Sequence, residues 1–229
     1  MMPNDPTLER ASTCAPRATA DKSADKWAEA LGAGATVLRG FAREDVAMLV
    51  TDLARIAAAA PFRHMITPGG FRMSVAMTNC GRVGWITDRS GSRYVPLDPL
   101  TGIPWPAIPE PLRDLGIEAA SAGGFADFEP DACLINRYEP GARMSLHQDR
   151  DERDLLAPVV SISLGLPAAF LFGGERRNVR PRRVPLASGD VVVWGGPSRL
   201  AYHGVAPLAD GCDPITGRYR FNLTLRRAL

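Results

Sequence analysis

The second half of the chain consists of short apolar segments, and this pattern limits its possible folds more than any other feature. The segments are rich in Val, Leu, Phe and Trp and are separated by Gly, Pro, Asp or Ser. Short strands at such spacing are typical of β-sandwiches and barrels. The sequence therefore predicts a double-stranded β-helix (jelly-roll) core over residues 125–229. The predicted strands are 132–138, 159–164, 168–172, 184–186, 191–194, 200–203 and 218–226.

The first half of the chain predicts helices that flank this core. Apolar residues at helical spacing, with Pro61 just beyond them, predict a helix over residues 43–60 that packs against a sheet. A strand is expected at 35–40 and a second helix at 111–122. Residues 1–26 have no periodicity and predict a flexible tail. The fold class is thus mainly β with flanking helices (α+β), in a single domain over residues 27–229.

Residues 67–111 differ from both the helical first part and the strand-rich second half, because they combine turns, a possible hairpin and a proline-rich loop. A turn at 67–70 precedes a possible strand at 71–78, and residues 83–85 and 93–95 can pair as a hairpin. A loop with six prolines between Pro96 and Pro111 follows. Long loops in compact domains often cover functional sites. We expect a β-hairpin flap here.

Composition excludes several classes of protein. The chain has no run of about 18 apolar residues, as a membrane helix needs, and its first 26 residues lack the apolar segment of a secretory signal. Its four cysteines are far apart and form no C-x-x-C motif, which favours reduced thiols over a disulfide scaffold or a thiolate zinc site. We expect a cytoplasmic protein with no membrane partner.

Positive charge is concentrated near the C-terminus. Residues 171–229 contain ten arginines and no lysine against four acidic residues, although the net charge of the whole chain is only +2. A base composition that favours arginine codons explains part of this bias. A basic face that binds phosphates is the functional interpretation.

Two of the three histidines, His147 and His203, are candidate metal ligands. His147 and Asp149 are two residues apart, so on an extended segment both side chains leave the same face. With His203 they would form the two-histidine, one-carboxylate triad of non-haem Fe(II) oxygenases. His-x-Asp alone is a weak signal, and a hydrogen-bonded structural role for each histidine is the alternative.

The last predicted strand alternates strictly between polar and apolar residues. An arginine that points into a barrel is costly unless it meets an anion. An edge strand with its polar face in water is the alternative. Asn136 and Tyr138 have the same two-residue spacing, and together these groups could clamp a small dicarboxylate. The polar residues of the last strand are Arg220, Asn222, Thr224 and Arg226.

These motifs resemble the AlkB family of Fe(II)/2-oxoglutarate dioxygenases, most closely its bacterial DNA-repair members. The resemblance runs from about residue 27 to the C-terminus. It rests on Asn136-Arg137-Tyr138, His147-Gln148-Asp149, His203 and the R-x-N-x-T-x-R signature that ends at Arg226. Thr67-Pro68-Gly69-Gly70 and Val191-Val192-Val193-Trp194-Gly195-Gly196 add to it.

The resemblance implies a set of roles for these residues. Fe(II) would be bound by His147, Asp149 and His203, and 2-oxoglutarate would chelate the iron through its keto-acid end. Arg220 would pair with the far carboxylate of this co-substrate. The implied reaction uses O₂ to oxidise an N-methyl group on a base and releases succinate, CO₂ and formaldehyde. The residues implied at the rest of the co-substrate are Asn136, Tyr138, Asn222 and Arg226.

A base methylated at adenine N1 or cytosine N3 is cationic, so a carboxylate and an aromatic face should select it. Asp151 is the predicted carboxylate, and Trp85 is the predicted stacking face opposite His147. A solvated turn for Asp151 and hairpin packing for Trp85 are the alternatives. Because the lesion must leave any base stack, we expect single-stranded or flipped-base DNA, possibly RNA, as partner and a monomeric enzyme. Further candidate substrate contacts are Thr67, Tyr94, Arg150 and Arg177.

One residue departs from the bacterial pattern. Ser92 stands where the resemblance places a tyrosine that contacts substrate. A weaker hold on the oligonucleotide is expected, with Tyr94 compensating in part and the chemistry retained. Two other functions remain open: a hydroxylase of a small molecule or protein side chain, against which Trp85 and Asp151 argue, and a jelly-roll module that binds without turnover.

Overall fold

An antiparallel eight-stranded sheet is the larger part of the structure, a computed structural model that describes residues 27–229. The sheet places strands from both ends of the chain side by side, so the C-terminal strand lies in its middle. In spatial order its strands are β1 (Trp27–Gly32), β2 (Ala35–Arg39), β12 (Val191–Trp194), β9 (Val159–Gly165), β14 (Arg220–Arg226), β7 (Ala132–Tyr138), β4 (Arg72–Gly81) and β3 (Arg63–Ile66).

A four-stranded sheet faces the larger one. Its strands in order are β11 (Arg182–Leu186), β10 (Ala168–Phe172), β13 (His203–Val205) and β8 (Met144–His147). Buried residues of both sheets pack in one apolar cluster, for example Phe170 of β10 against Trp194 of β12. The predicted double-stranded β-helix core is therefore confirmed. A separate hairpin, β5 (Gly84–Asp88) with β6 (Gly91–Val95), matches the predicted one.

Two helices cover the outer face of the larger sheet. The first, α1 (Val46–Ala59), buries Leu49, Leu53 and Ile56 in the cluster formed with the sheet. The second, α2 (Glu110–Ala122), contributes Leu112 and Leu115 to the same cluster. Their apolar stripes at helical spacing are the physical reason for this placement.

No helix in residues 27–229 is long and apolar enough to span a membrane.

Strand β14 lies between β9 and β7, and all seven of its residues are buried. Its apolar residues point outward: Phe221, Leu223 and Leu225 pack in the helix-covered cluster. Its polar residues consequently point inward between the two sheets. The alternative of an edge strand with its polar face in water is excluded.

Some sequence predictions were wrong in detail. The strand predicted at 200–203 begins only at His203, because residues 199–202 complete a turn that follows a 3₁₀ helix (Gly196–Ser198). Strands β1, β3 and β8 were missed. They are short or largely exposed, and they lack the apolar alternation that reveals a buried strand. The predicted tail at 1–26 lies outside the described residues.

Candidate active site

A cavity of about 930 Å³ opens between the two sheets beside the β5–β6 hairpin. Its wall brings together residues that are far apart in the sequence, and Ser92 also lies on it. Of the predicted site residues, only Tyr94 is absent from the wall. The predicted residues that line the cavity are Thr67, Trp85, Asn136, Tyr138, His147, Asp149, Arg150, Asp151, Arg177, His203, Arg220, Asn222 and Arg226.

Three potential metal ligands meet in this cavity. Single ligand atoms of His147, Asp149 and His203 lie within 4.8 Å of one another. His147 is on β8 and His203 is its cross-strand partner on β13, which brings the two ring centroids to 4.3 Å. The Nε2 atoms lie 3.7 Å (His147) and 3.8 Å (His203) from carboxylate oxygens of Asp149. Two imidazoles and one carboxylate on one side of a cavity fit a metal with open positions for other ligands.

The backbone orients both imidazoles. Nδ1 of His147 lies 2.9 Å from the carbonyl oxygen of Ser145, and Nδ1 of His203 lies 3.0 Å from that of Ala201. A carbonyl oxygen only accepts hydrogen bonds, so each Nδ1 is the donor and each Nε2 keeps its lone pair. Such partners fix the tautomer of metal-binding histidines. Burial and the nearby His147 lower the pKa of His203 to about 4, which keeps that ring neutral.

Arg226 holds the carboxylate of Asp149. Its Nε and Nη2 donate to Oδ2 of Asp149 at 3.0 and 2.6 Å. Burial opposes ionisation of Asp149, but the charge and hydrogen bonds of Arg226 outweigh it and hold the pKa of this carboxyl well below its usual range. The resemblance predicted that Arg226 contacts the co-substrate. Two of its nitrogen atoms, Nε and Nη2, donate to Asp149 in this structure.

Arg220 supplies a buried and largely unpaired cation. It is 1% exposed, and Nη2 donates to the hydroxyl of Ser163 at 2.9 Å. Its Nε and Nη1 have no hydrogen-bond partner among the described residues, and neither does Oδ1 of Asn136. Burial lowers the pKa of the Arg220 guanidinium. Unsatisfied buried donors are costly, so the position fits a carboxylate ligand with the chemistry of 2-oxoglutarate.

Hydrogen bonds between polar side chains fix the amides of the same wall. Nδ2 of Asn222 donates to Oγ of Ser161 at 2.7 Å, and Thr224 donates to Oδ1 of Asn222 at 3.0 Å. Burial raises the pKa of Tyr138 to about 12, so its phenol stays protonated. The wall is therefore held in fixed positions, and the protonated phenol of Tyr138 can donate a hydrogen bond to an anion.

The β5–β6 hairpin contacts the core beside this site. Nε1 of Trp85 donates to Oδ2 of Asp151 at 2.8 Å. On the same hairpin, Ser92 donates to Oγ1 of Thr87 at 3.1 Å. Ser92, which stands where the resemblance places a tyrosine, thus makes a local hydroxyl pair on the cavity wall.

Tyr94 lies behind the cavity wall. Its hydroxyl donates to Oε1 of Glu152 at 2.6 Å, and Nε of Arg226 lies 3.2 Å from the same oxygen. Nη2 of Arg199 donates to Oε2 of Glu152 at 3.0 Å, and Nη1 of Arg199 to the carbonyl of Asp149 at 2.6 Å. The roles of Glu152 and Arg199 were not predicted from the sequence. Tyr94, Glu152 and Arg199 come from three separate segments, and only the folded chain brings them together.

The chain has relatives among known proteins. A family model described as the 2OG-Fe(II) oxygenase superfamily matches residues 34–226. The chain is 57% identical over 205 residues to the alpha-ketoglutarate-dependent dioxygenase AlkB of Escherichia coli (strain K12), covering 90% of this chain and 95% of that protein. It is 38% identical over 98 residues to the nucleic acid dioxygenase ALKBH1 of Homo sapiens, covering 43% of this chain and 25% of the human protein.

The solved structure of OsALKBH1 superimposes with a TM-score of 0.77 at 30% identity, covering 87% of this chain and 99% of that one. Sequence and fold therefore agree with the chemistry of the cavity. The chain belongs to the 2OG-Fe(II) oxygenase superfamily, in its AlkB branch, and is an Fe(II)- and 2-oxoglutarate-dependent dioxygenase.

Proposed function

We propose that this enzyme oxidatively demethylates N-alkylated bases, such as 1-methyladenine and 3-methylcytosine, in single-stranded DNA and also in RNA. One observation carries the proposal: the metal triad shares a cavity with a tryptophan that is hydrogen-bonded to a carboxylate, Trp85 and Asp151. The human relative is named a nucleic acid dioxygenase, which supports nucleic acid as the substrate class.

His147, Asp149 and His203 are the proposed Fe(II) ligands. The Nε2 atoms are free because the Nδ1 atoms are bound to backbone carbonyls. Arg226 keeps Asp149 ionised and oriented through two hydrogen bonds. This arrangement prepares all three ligands before the metal arrives, which reduces the cost of binding it.

The 2-oxoglutarate site is proposed to lie along the inner face of β14 and β7. Arg220 binds the far carboxylate with Nε and Nη1, the two donors that lack partners in the described part of the protein. Asn136, Tyr138 and Asn222 offer amide and phenol groups nearer the iron, together with the remaining Nη1 of Arg226. When bound, Fe(II), 2-oxoglutarate and O₂ supply the oxidant that hydroxylates an N-methyl carbon, and 2-oxoglutarate leaves as succinate and CO₂. The N-hydroxymethyl product then releases formaldehyde.

The proposed base pocket lies between Trp85 and His147. An aromatic face and a carboxylate both stabilise a cationic base relative to its neutral, undamaged form. Asp151 provides the carboxylate, and its exposed position lets the base approach from solvent. Residues 67–111 act as the flap, and Tyr94 positions this flap without touching the base.

The remaining contacts lie at the cavity mouth. We assign Thr67, Arg150 and Arg177 to the nucleic acid backbone, since all three line the cavity. A base inside a duplex cannot reach so enclosed a triad, so the substrate is single-stranded or flipped out. The enzyme acts as a cytoplasmic monomer in this proposal.

The proposal is tested with a panel of substrates. Purified enzyme with Fe(II), ascorbate and 2-oxoglutarate is given a 1-methyladenine oligonucleotide, the unmethylated oligonucleotide, or methylated peptides. We expect formaldehyde in equal amount to succinate only with the methylated oligonucleotide. Succinate in excess of formaldehyde with every substrate would show an active centre with another target and would overturn the repair assignment.

A further inference from the structure

A second groove borders the cavity along β8. Its volume is about 390 Å³, and it shares Arg143, Ser145 and Arg177 with the cavity wall. Strand β8 is one of the two edge strands of the four-stranded sheet. A polymeric ligand that places one of its residues in the cavity can therefore continue along this edge into the groove.

The groove carries uncompensated positive charge. Three exposed arginines line it, Arg143, Arg177 and Arg183, and no acidic residue is among its described lining residues. Their guanidinium groups make no hydrogen bond or ion pair with any residue in the described range 27–229. Guanidinium groups bind phosphates through two parallel hydrogen bonds, and unpaired ones do so without breaking a protein contact.

The neighbouring residue Arg182 provides a contrast within β11. Adjacent residues of a strand point to opposite faces. Arg182 forms an ion pair with Glu29 and donates to the carbonyl of Ala30. Arg183, one residue later, lines the groove and has no such partner between residues 27 and 229. In β11, Arg182 is thus neutralised by Glu29, whereas the guanidinium of Arg183 can bind an anion in the groove.

The floor of the groove is apolar. Leu171 is half-buried and is the cross-strand partner of Arg183, and Met144 and Pro207 lie on the same lining. Apolar side chains beside free guanidinium groups match a nucleotide, which presents a flat apolar base next to an anionic phosphate.

We propose that this groove is a subsite for a nucleotide of the substrate strand that flanks the target base, with its phosphate on Arg183 and Arg177. The inference rests on the proposed function and adds where the strand runs outside the cavity. Continuity with the cavity favours a nucleic acid over an acidic peptide as occupant. Arg183 acts only on binding, because it does not line the cavity of the metal triad.

The test compares two neighbouring arginines. Arg183→Gln and the control Arg182→Gln remove the same charge from adjacent positions of one strand. Binding of a nine-nucleotide strand with a central 1-methyladenine is measured by fluorescence anisotropy at several salt concentrations, with the Fe(II)- and 2-oxoglutarate-loaded enzyme kept free of O₂. For Arg183→Gln we expect weaker binding and a salt slope that is smaller by about 0.7, the loss of one phosphate contact on a single strand.

A short substrate separates the groove from the cavity. Turnover of the 1-methyladenine mononucleotide should be the same for wild type, Arg183→Gln and Arg182→Gln. An unchanged salt slope in Arg183→Gln, or an equal change in both variants, would overturn the subsite. Tighter binding of polyglutamate than of the nine-nucleotide strand would also overturn it. If the wild type demethylates neither substrate, the proposed function itself has failed.

Discussion

The phenol of Tyr94 donates a 2.6 Å hydrogen bond to the carboxylate of Glu152 and thereby ties the β5–β6 hairpin to the core. The acceptor oxygen also faces Nε of Arg226, and Arg226 donates to Asp149 through both Nε and Nη2. A single buried carboxylate therefore connects the hairpin with a proposed metal ligand. The hydrogen bond gives Tyr94 a structural role, while the substrate contact predicted for it from the sequence stays a prediction.

Tyr94→Phe removes this link and leaves the ring in place. Removing a donor from a buried carboxylate destabilises the fold by about 1–3 kcal/mol, which for a chain of this length lowers the Tm by roughly 2–12 °C. Thermal unfolding followed by circular dichroism measures the effect. Ser92→Ala on the same hairpin is the control, because its hydroxyl is exposed and binds only Thr87. Equal Tm values for the two variants would contradict the assigned role.

Arg220→Met separates co-substrate binding from folding. Replacing an unpaired buried cation with an apolar residue of similar length should leave the ligand-free protein as stable as the wild type or more so. The loss of a charge-assisted ion pair should weaken 2-oxoglutarate binding by at least about tenfold. Isothermal titration of 2-oxoglutarate and chemical denaturation measure the two quantities. Destabilisation without any change in affinity would show that Arg220 serves only the fold.

Asp151→Asn tests selection by charge. The variant keeps the shape of the side chain and removes its negative charge. We expect kcat/KM for cationic 3-methylcytosine to fall about tenfold relative to neutral 3-methylthymine in the same strand. Competition between the two oligonucleotides in one reaction measures the ratio directly. A parallel fall for both bases would mean that Asp151 positions the flap, through Trp85, without reading charge.

The pKa of His203 predicts how metal-free protein responds to pH. This pKa is about 4 in the folded protein and near 6.5 in an unfolded chain, so the unfolded chain binds the extra proton between these values. The free energy of unfolding therefore falls as pH drops from about 6.5 to 4, by up to roughly 3 kcal/mol. Asp149, whose pKa is lowered, adds a loss only below about pH 4.

Urea denaturation at several pH values, in the presence of a chelator, measures this dependence. His203→Gln removes the titrating ring, so its unfolding free energy should vary less between pH 6.5 and 4. A variant with the same pH dependence as the wild type would assign the effect to other groups.

The sequence predicted the core of this fold because the signal there is local. The alternation from Arg220 to Arg226 specified which residues face the cavity, and the position of β14 inside the larger sheet confirmed that its polar face is buried. The strand predicted at 200–203 begins only at His203. Residues 200–202 are apolar enough to suggest a strand, but they belong to the turn that follows Ser198.

The links around Glu152 lay beyond prediction for a different reason. Tyr94, Arg199 and Arg226 come from three separate segments. The sequence predicted Tyr94 and Arg226 as contacts of substrate and co-substrate, but it did not indicate that they share a partner, and Arg199 alone showed no functional pattern. Only the pairing of the strands brings their side chains to one carboxylate. The groove beside β8 likewise depends on which face of β11 each arginine takes.

We propose that His147, Asp149 and His203 form the iron centre of a nucleic acid demethylase. The most direct measurement loads the enzyme with Fe(II) and 2-oxoglutarate without O₂, adds a 1-methyladenine oligonucleotide, admits air and records the mass of the oligonucleotide. We predict the loss of one methylene mass with wild type and no change with His147→Ala. An unchanged oligonucleotide from wild-type enzyme that still forms succinate would contradict the account.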